Sequence, residues 1–145
     1  MQALYETATR IDLFKLHDAE IVGIDVGVTT TRLDLRFAYI GKGHEANPHG
    51  TDQLIKPCSL VFHNVRDQRV RLWSESTRQF LPHDEPSRPI DDCIIQFTLT
   101  ATDGDMAILL SGFHRLGWTE WQFRCESVTV AWSAFCGVAW YDCPR

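Results

Sequence analysis

Several common signatures are missing from this sequence. No apolar run approaches the ~20 residues that a helix needs to cross a bilayer, so no membrane span is expected. The first residues, MQALYETATR, carry Glu6 and no apolar stretch, and do not read as a secretory signal. No Gly-x-Ser-x-Gly frame surrounds Ser59, Ser74 or Ser111, and Gly41-Lys42-Gly43 lacks the rest of a phosphate-binding loop. There is no tight Cys-x2-Cys pair. The nearest of the five cysteines (Cys58, Cys93, Cys125, Cys136, Cys143) are the last two, with six residues between them. An odd number of thiols without a secretion signal points to a reducing cytoplasm, where Cys packs as a small hydrophobe.

Positive charge is scarce as well: 14 Lys+Arg stand against 19 Asp+Glu, for a net charge of −5. Such a chain repels a phosphate backbone unless its basic residues share one face. The densest basic stretch, Arg66, Arg69 and Arg71, is interrupted by Asp67, so a nucleic-acid partner is disfavoured. A length of 145 residues with 44% hydrophobic content suits one domain, 1–145, whose core forms without metal or disulfide staples. No cofactor is called for.

Extended helical periodicity is absent too, and what replaces it is alternation. Val, Ile and Thr number 30, and β-branched side chains suit a pleated surface better than a helix. From Arg32 the chain reads RLDLRFAYI, with Leu33, Leu35, Phe37 and Tyr39 on one face and Arg32, Asp34 and Arg36 on the other. Ile95, Phe97, Leu99 and Ala101 alternate with polar residues up to Asp103-Gly104, the pair that favours a two-residue turn. A hairpin closed there sets Ala101 against Met106, Leu99 against Ile108, Phe97 against Leu110 and Ile95 against Gly112. A slip by one residue would mismatch the faces.

Ala19 to Val26 is expected to pair with the Leu33 strand, with Val22 and Ile24 opposite Leu33, Leu35 or Phe37 and a loop at Val28-Thr29-Thr30. Pro57 precedes a short strand, Cys58 to His63, with Leu60 and Phe62 inward. Between His63 and Phe80 helix and strand both fit the pattern. Trp121, Phe123 and Cys125 are apolar at odd positions but Val128, Val130 and Trp132 at even ones. A strand with one buried face cannot change parity, so a bulge near Glu126-Ser127 or a break between strands is required. Val138 and Trp140 fit one last short strand. Two polar loops, Gly41 to Leu54 and Leu81 to Asp92, complete the chain. The expected fold is mainly β to α+β: one twisted antiparallel sheet of about six to eight strands, a half-barrel or two layers, with few short helices.

Chemistry can be sought in three places. His17-Asp18 sets an imidazole beside a carboxylate, the pairing of a general base. Neighbours on a strand point to opposite faces, however, and Asp18 also suits a turn, bonding nearby backbone amides. His44 and His49 in the first loop and His83 in the second would make a metal site if the two loops met. Four of the five tryptophans, Trp118, Trp121, Trp132 and Trp140, fall near the carboxyl end among Phe113, Phe123, Phe135 and Tyr141. Aromatics dominate cores and interfaces alike, and the parity change brings some of these rings to the outer face.

The segment Leu16-His17-Asp18-Ala19-Glu20-Ile21, the two alternating strands after it, Leu60-Val61-Phe62-His63-Asn64-Val65, and Ser111-Gly112 before a Trp-containing strand are similar to a known layout. They resemble small bacterial β-rich proteins of unknown function that open with a Leu-His-Asp-(Ser/Ala) segment. Some of those are classed as immunity proteins for polymorphic toxins. The resemblance covers residues 16–132 in order and implies a single β-rich domain without catalysis that binds another protein.

Three roles follow as expectations. The first is a non-enzymatic cytoplasmic binding protein, immunity-like, with a protein partner at His17, Asp18, Trp118, Trp121, Trp132 or Trp140. The second is a small enzyme or metal-binding protein using His17, Asp18 and the loop histidines. The third is a homo-oligomeric scaffold, since an uncovered sheet edge invites self-association.

Overall fold

Alternating apolar positions build the regular elements of this chain almost entirely as strands. The computed structural model describes residues 2–82 and 89–142, of which 64% are strand and 4% helical. The strands are β1 (Tyr5–Thr7), β2 (Phe14–Lys15), β3 (Ala19–Val26), β4 (Thr30–Leu35), β5 (Ala38–Ile40), β6 (Gln53–His63), β7 (Arg66–Ser74), β8 (Gln79–Pro82), β9 (Cys93–Thr102), β10 (Asp105–His114), β11 (Gly117–Cys125) and β12 (Ser127–Val138). Single 3-10 turns occupy Ile11–Leu13 and Trp140–Asp142.

All twelve strands belong to one open antiparallel sheet, in the order β1-β12-β6-β4-β3-β9-β10-β11-β7-β8, with β5 pairing β6 and β2 beside it. The sheet curls over its own core. Phe62 on β6 and Phe123 on β11 lie five strand spacings apart along the ladder, roughly 24 Å on a flat sheet. Their rings nevertheless meet edge to face at 4.9 Å. Leu33, Leu35, Leu60, Val128, Val130 and Trp132 from one half therefore face Ile94, Ile108, Leu110, Trp121 and Val70 from the other in a single cluster.

Twelve strands replace the expected six to eight, because the chain is interrupted more often than alternation reveals. The RLDLRFAYI run divides into β4, which ends at Leu35, and β5, which is buried at all three positions. Residues 63–80, open between helix and strand, form all of β7 and the start of β8. β6 begins upstream of Pro57, not after it. The proline, which has no N–H to donate, falls where β6 changes partner from β4 to β5. The parity change at Glu126 is a break between strands: β11 pairs β10 and β7, whereas β12 pairs β6 and β1. Trp140 lies in the second 3-10 turn, not in a last strand with Val138.

The Asp103-Gly104 hairpin keeps the expected register from Met106↔Ala101 to Leu110↔Phe97. It then shifts at Ser111/Gly112, so that Gly112 meets Ile94 and not Ile95. Ile94 is fully buried while Ile95 is 39% exposed. Backbone crowding accompanies the shift: a Cβ on Gly112 would stand 2.6 Å from the Cys93 carbonyl oxygen. A second shift, at Ile21/Gly23, leaves Val22 exposed and not opposite a β4 leucine. At that point β3 changes partner, pairing β9 through Ala19 and Glu20 and β4 from Ile21 onward.

Candidate functional site

Two surfaces combine exposed aromatic rings with defined geometry. The first lies where β7, β8 and the β10–β11 turn meet. Even-numbered residues of β10 face the core, so odd-numbered Phe113 points outward and is 57% exposed. Leu116, in the turn that follows, is 61% exposed. The Trp118 ring, half-buried, meets Phe113 edge on at 5.2 Å. Together with Leu72, Trp73 and Leu81 these residues line a groove of about 540 Å³, rimmed by Ser74 and Glu75. Its walls are held in place. Trp73 packs on Phe80 at 5.2 Å, and its indole N–H donates to Glu75 Oε1 at 3.1 Å.

The second surface is built around Asp52, which is 4% exposed at the end of the first polar loop. Its Oδ2 accepts from Lys15 Nζ and from the Tyr141 hydroxyl, both at 2.8 Å, and its Oδ1 accepts from the Lys42 backbone N–H at 2.8 Å. Burial pushes the carboxyl pKa up, but these donors outweigh it and hold Asp52 below the ordinary aspartate value. The same burial, with Asp52 beside it, keeps the Tyr141 hydroxyl protonated. Lys15 also sits 4.8 Å above the Tyr141 ring. Around this centre His17 stacks on Tyr39 at 5.1 Å and lies 5.5 Å from Tyr141, while Tyr39 and Tyr141 meet edge on at 5.3 Å. Rings this close are in contact and leave no hollow for a guest between them. The cluster is a clamp that fixes the carboxyl-terminal turn to the first loop.

The sequence-derived candidates are therefore scattered. Trp121 and Trp132 are core, at 1% and 0% exposure, and drop out as surface residues. Trp118 lies in the apolar groove; Trp140, 65% exposed, lies on the clamp. His17 and Asp18 occupy the turn before β3 and form neither a hydrogen bond nor an ion pair with each other. Asp18 has φ 62°, and its backbone N–H, not its carboxylate, makes the turn contact, donating to the Ile94 carbonyl at 2.7 Å. His44 is buried with both nitrogens engaged: Nδ1 accepts from the Ala46 N–H at 2.9 Å, so Nε2 donates to the Thr9 carbonyl at 2.7 Å. No lone pair is left for a metal. His49 is exposed, and its ring meets Phe135 at 5.4 Å. His83 lies outside the described residues, as does the whole of 83–88 in the Leu81 to Asp92 loop. Among the described residues no three His, Cys, Asp or Glu side chains converge on a metal-sized site.

Phe113 and Leu116 carry the first surface; sequence reasoning names Phe113 only as one of the aromatics among the tryptophans, and Leu116 not at all. A signal existed, since Phe113 is apolar at a wet-face position of β10. Asp52 and Lys15 had no local signal, because their meeting joins residues 37 positions apart. No family model, curated protein or solved structure matches the chain. No helix is long and apolar enough to cross a membrane among the described residues.

Proposed function

We propose that this chain is a non-enzymatic binding protein that recognises a protein partner through the groove of Phe113, Leu116 and Trp118. The exposure of Phe113 and Leu116 around one concave apolar surface carries this reading. Large apolar side chains left in water side by side mark interaction sites, and a Trp among them is the residue type most often found at binding hot spots. The partner that fits is one offering an apolar side chain to the groove and polar groups to the Ser74–Glu75 rim. An immunity-like role, with a toxin as that partner, accords with the resemblance over residues 16–132. A metal-dependent or hydrolytic role finds no comparable support, given the saturated nitrogens of His44 and a His17 and Asp18 that no hydrogen bond or ion pair joins.

The test is a Phe113→Ser/Leu116→Ser variant assayed against a partner recovered from the native host and reconstituted from purified components. The variant is expected to keep its melting temperature and lose the complex. A complex of undiminished affinity would overturn the assignment of this surface.

A further inference from the structure

The end strands of the sheet are short among the described residues, three residues in β1 and four in β8, and β8 carries Pro82. Brief edges and proline are two ways a protein keeps its sheet from pairing with another chain. β9 is protected by neither. On one side it pairs β10 along its length; on the other it pairs β3 only through Ile94 and Cys93. Among the described residues no backbone hydrogen bond from any other segment reaches Ile95 to Thr102.

The hairpin geometry says which groups are free. Thr102↔Asp105 closes the two-residue turn, so Thr102, Thr100 and Thr98 spend their backbone bonds on β10. Leu99 and Ala101 then direct their N–H and C=O groups outward. Residues Asp12 to His17 stand across a gap from Ile95, Gln96 and Phe97, and the Ile11–Leu13 turn approaches β9 as well; Thr98 to Thr102 is the stretch of edge outside that gap. It contains no charge and no proline, and Thr98, Thr100, Ala101 and Thr102 are all exposed.

We propose that this edge receives the same edge of a second copy of the chain, forming an antiparallel pair about a two-fold axis at Thr100. The sequence fits itself in that register. Leu99 meets Ala101 of the other copy twice, which joins outward-facing backbone groups to outward-facing ones in four hydrogen bonds. Thr98 meets Thr102, Thr100 meets Thr100, and apolar and polar faces stay in phase. The edge is uncharged, so no like charges oppose one another along Thr98 to Thr102. A pairing of five residues from each copy is short, so the association is weak and reversible. It lies apart from the Phe113 groove and does not depend on the function proposed for that surface.

At the two-fold axis the residue 100 pair is non-hydrogen-bonded, with Cα atoms about 4.5 Å apart, close enough for a disulfide. A Thr100→Cys variant is expected to form a covalent dimer bridged at residue 100 on mild oxidation, mapped by mass spectrometry, well above the yield of a Thr77→Cys control in an exposed turn. Sedimentation equilibrium up to about 1 mM, the range of a weak contact, should show a monomer–dimer equilibrium. Thr100→Lys, which sets two ammonium groups together, should abolish it, and Phe113→Ser/Leu116→Ser should leave it intact. Bridging no greater than the control, or a dimer that survives Thr100→Lys, would overturn the proposal.

Discussion

The Tyr141 hydroxyl and Asp52 Oδ2 lie 2.8 Å apart across 89 residues of chain, and the same oxygen accepts from Lys15. One buried carboxylate thus ties the carboxyl-terminal turn to β2 and to the first loop. Its folded pKa lies below the ordinary 3.8, so the stability it contributes is fully present above that value and is lost as pH falls through the lower folded value. Asp52→Asn removes the charge that Lys15 and the Lys42 amide bind. It should cost about 1.5–3 kcal/mol near neutral pH. Urea unfolding between about pH 5 and pH 2 should show a flatter acid limb in the variant than in the parent. Parallel limbs would mean that Asp52 does not titrate as this geometry requires.

Contact between Phe62 and Phe123 depends on the sheet being curled, since nothing in the ladder makes them neighbours. Replacing either ring by Leu is expected to cost about 1–3 kcal/mol. The double variant should cost less than the two singles together by about 0.5–1.5 kcal/mol, the coupling of an edge-to-face pair. Strict additivity in equilibrium unfolding would place the two strands out of contact.

Thiol labelling reads the same core from another side. Cys58 and Cys125 are buried in facing halves of the molecule, and burial pushes their thiols up to about 12 and about 11. Neither offers a thiolate at neutral pH, whereas Cys136 is exposed. Iodoacetamide should modify Cys136 in the folded protein and reach Cys58 and Cys125 only after denaturant is added, as peptide mapping would show. Equal rates at all three in the native state would contradict this packing.

What alternation could reveal, it revealed. The hairpin at Asp103-Gly104 held its register for as long as both faces kept their period, and the parity change at Glu126 correctly demanded an interruption. Misreadings cluster where a backbone constraint overrides the period. At Gly112 the Cys93 carbonyl leaves no room for a Cβ, and at Val22 the strand turns from one partner to another. Neither event leaves a mark in hydrophobicity. The same limit applies to the sites. Trp118 was legible as an aromatic, but burial separated it from Trp121 and Trp132, whose sequence surroundings look alike. Asp52 needed three distant donors to acquire meaning, and no local pattern records them.

The place of β12 in the ladder sets an order of events during synthesis. It stands between β6 and β1, and it supplies Val128, Val130 and Trp132 to the core. As the ribosome extends the chain, β6 must wait with one side bare, and β1 with no ladder partner at all, until residues 127–138 have emerged. Such a topology exposes the nascent chain to chaperones and to its own neighbours on the polysome.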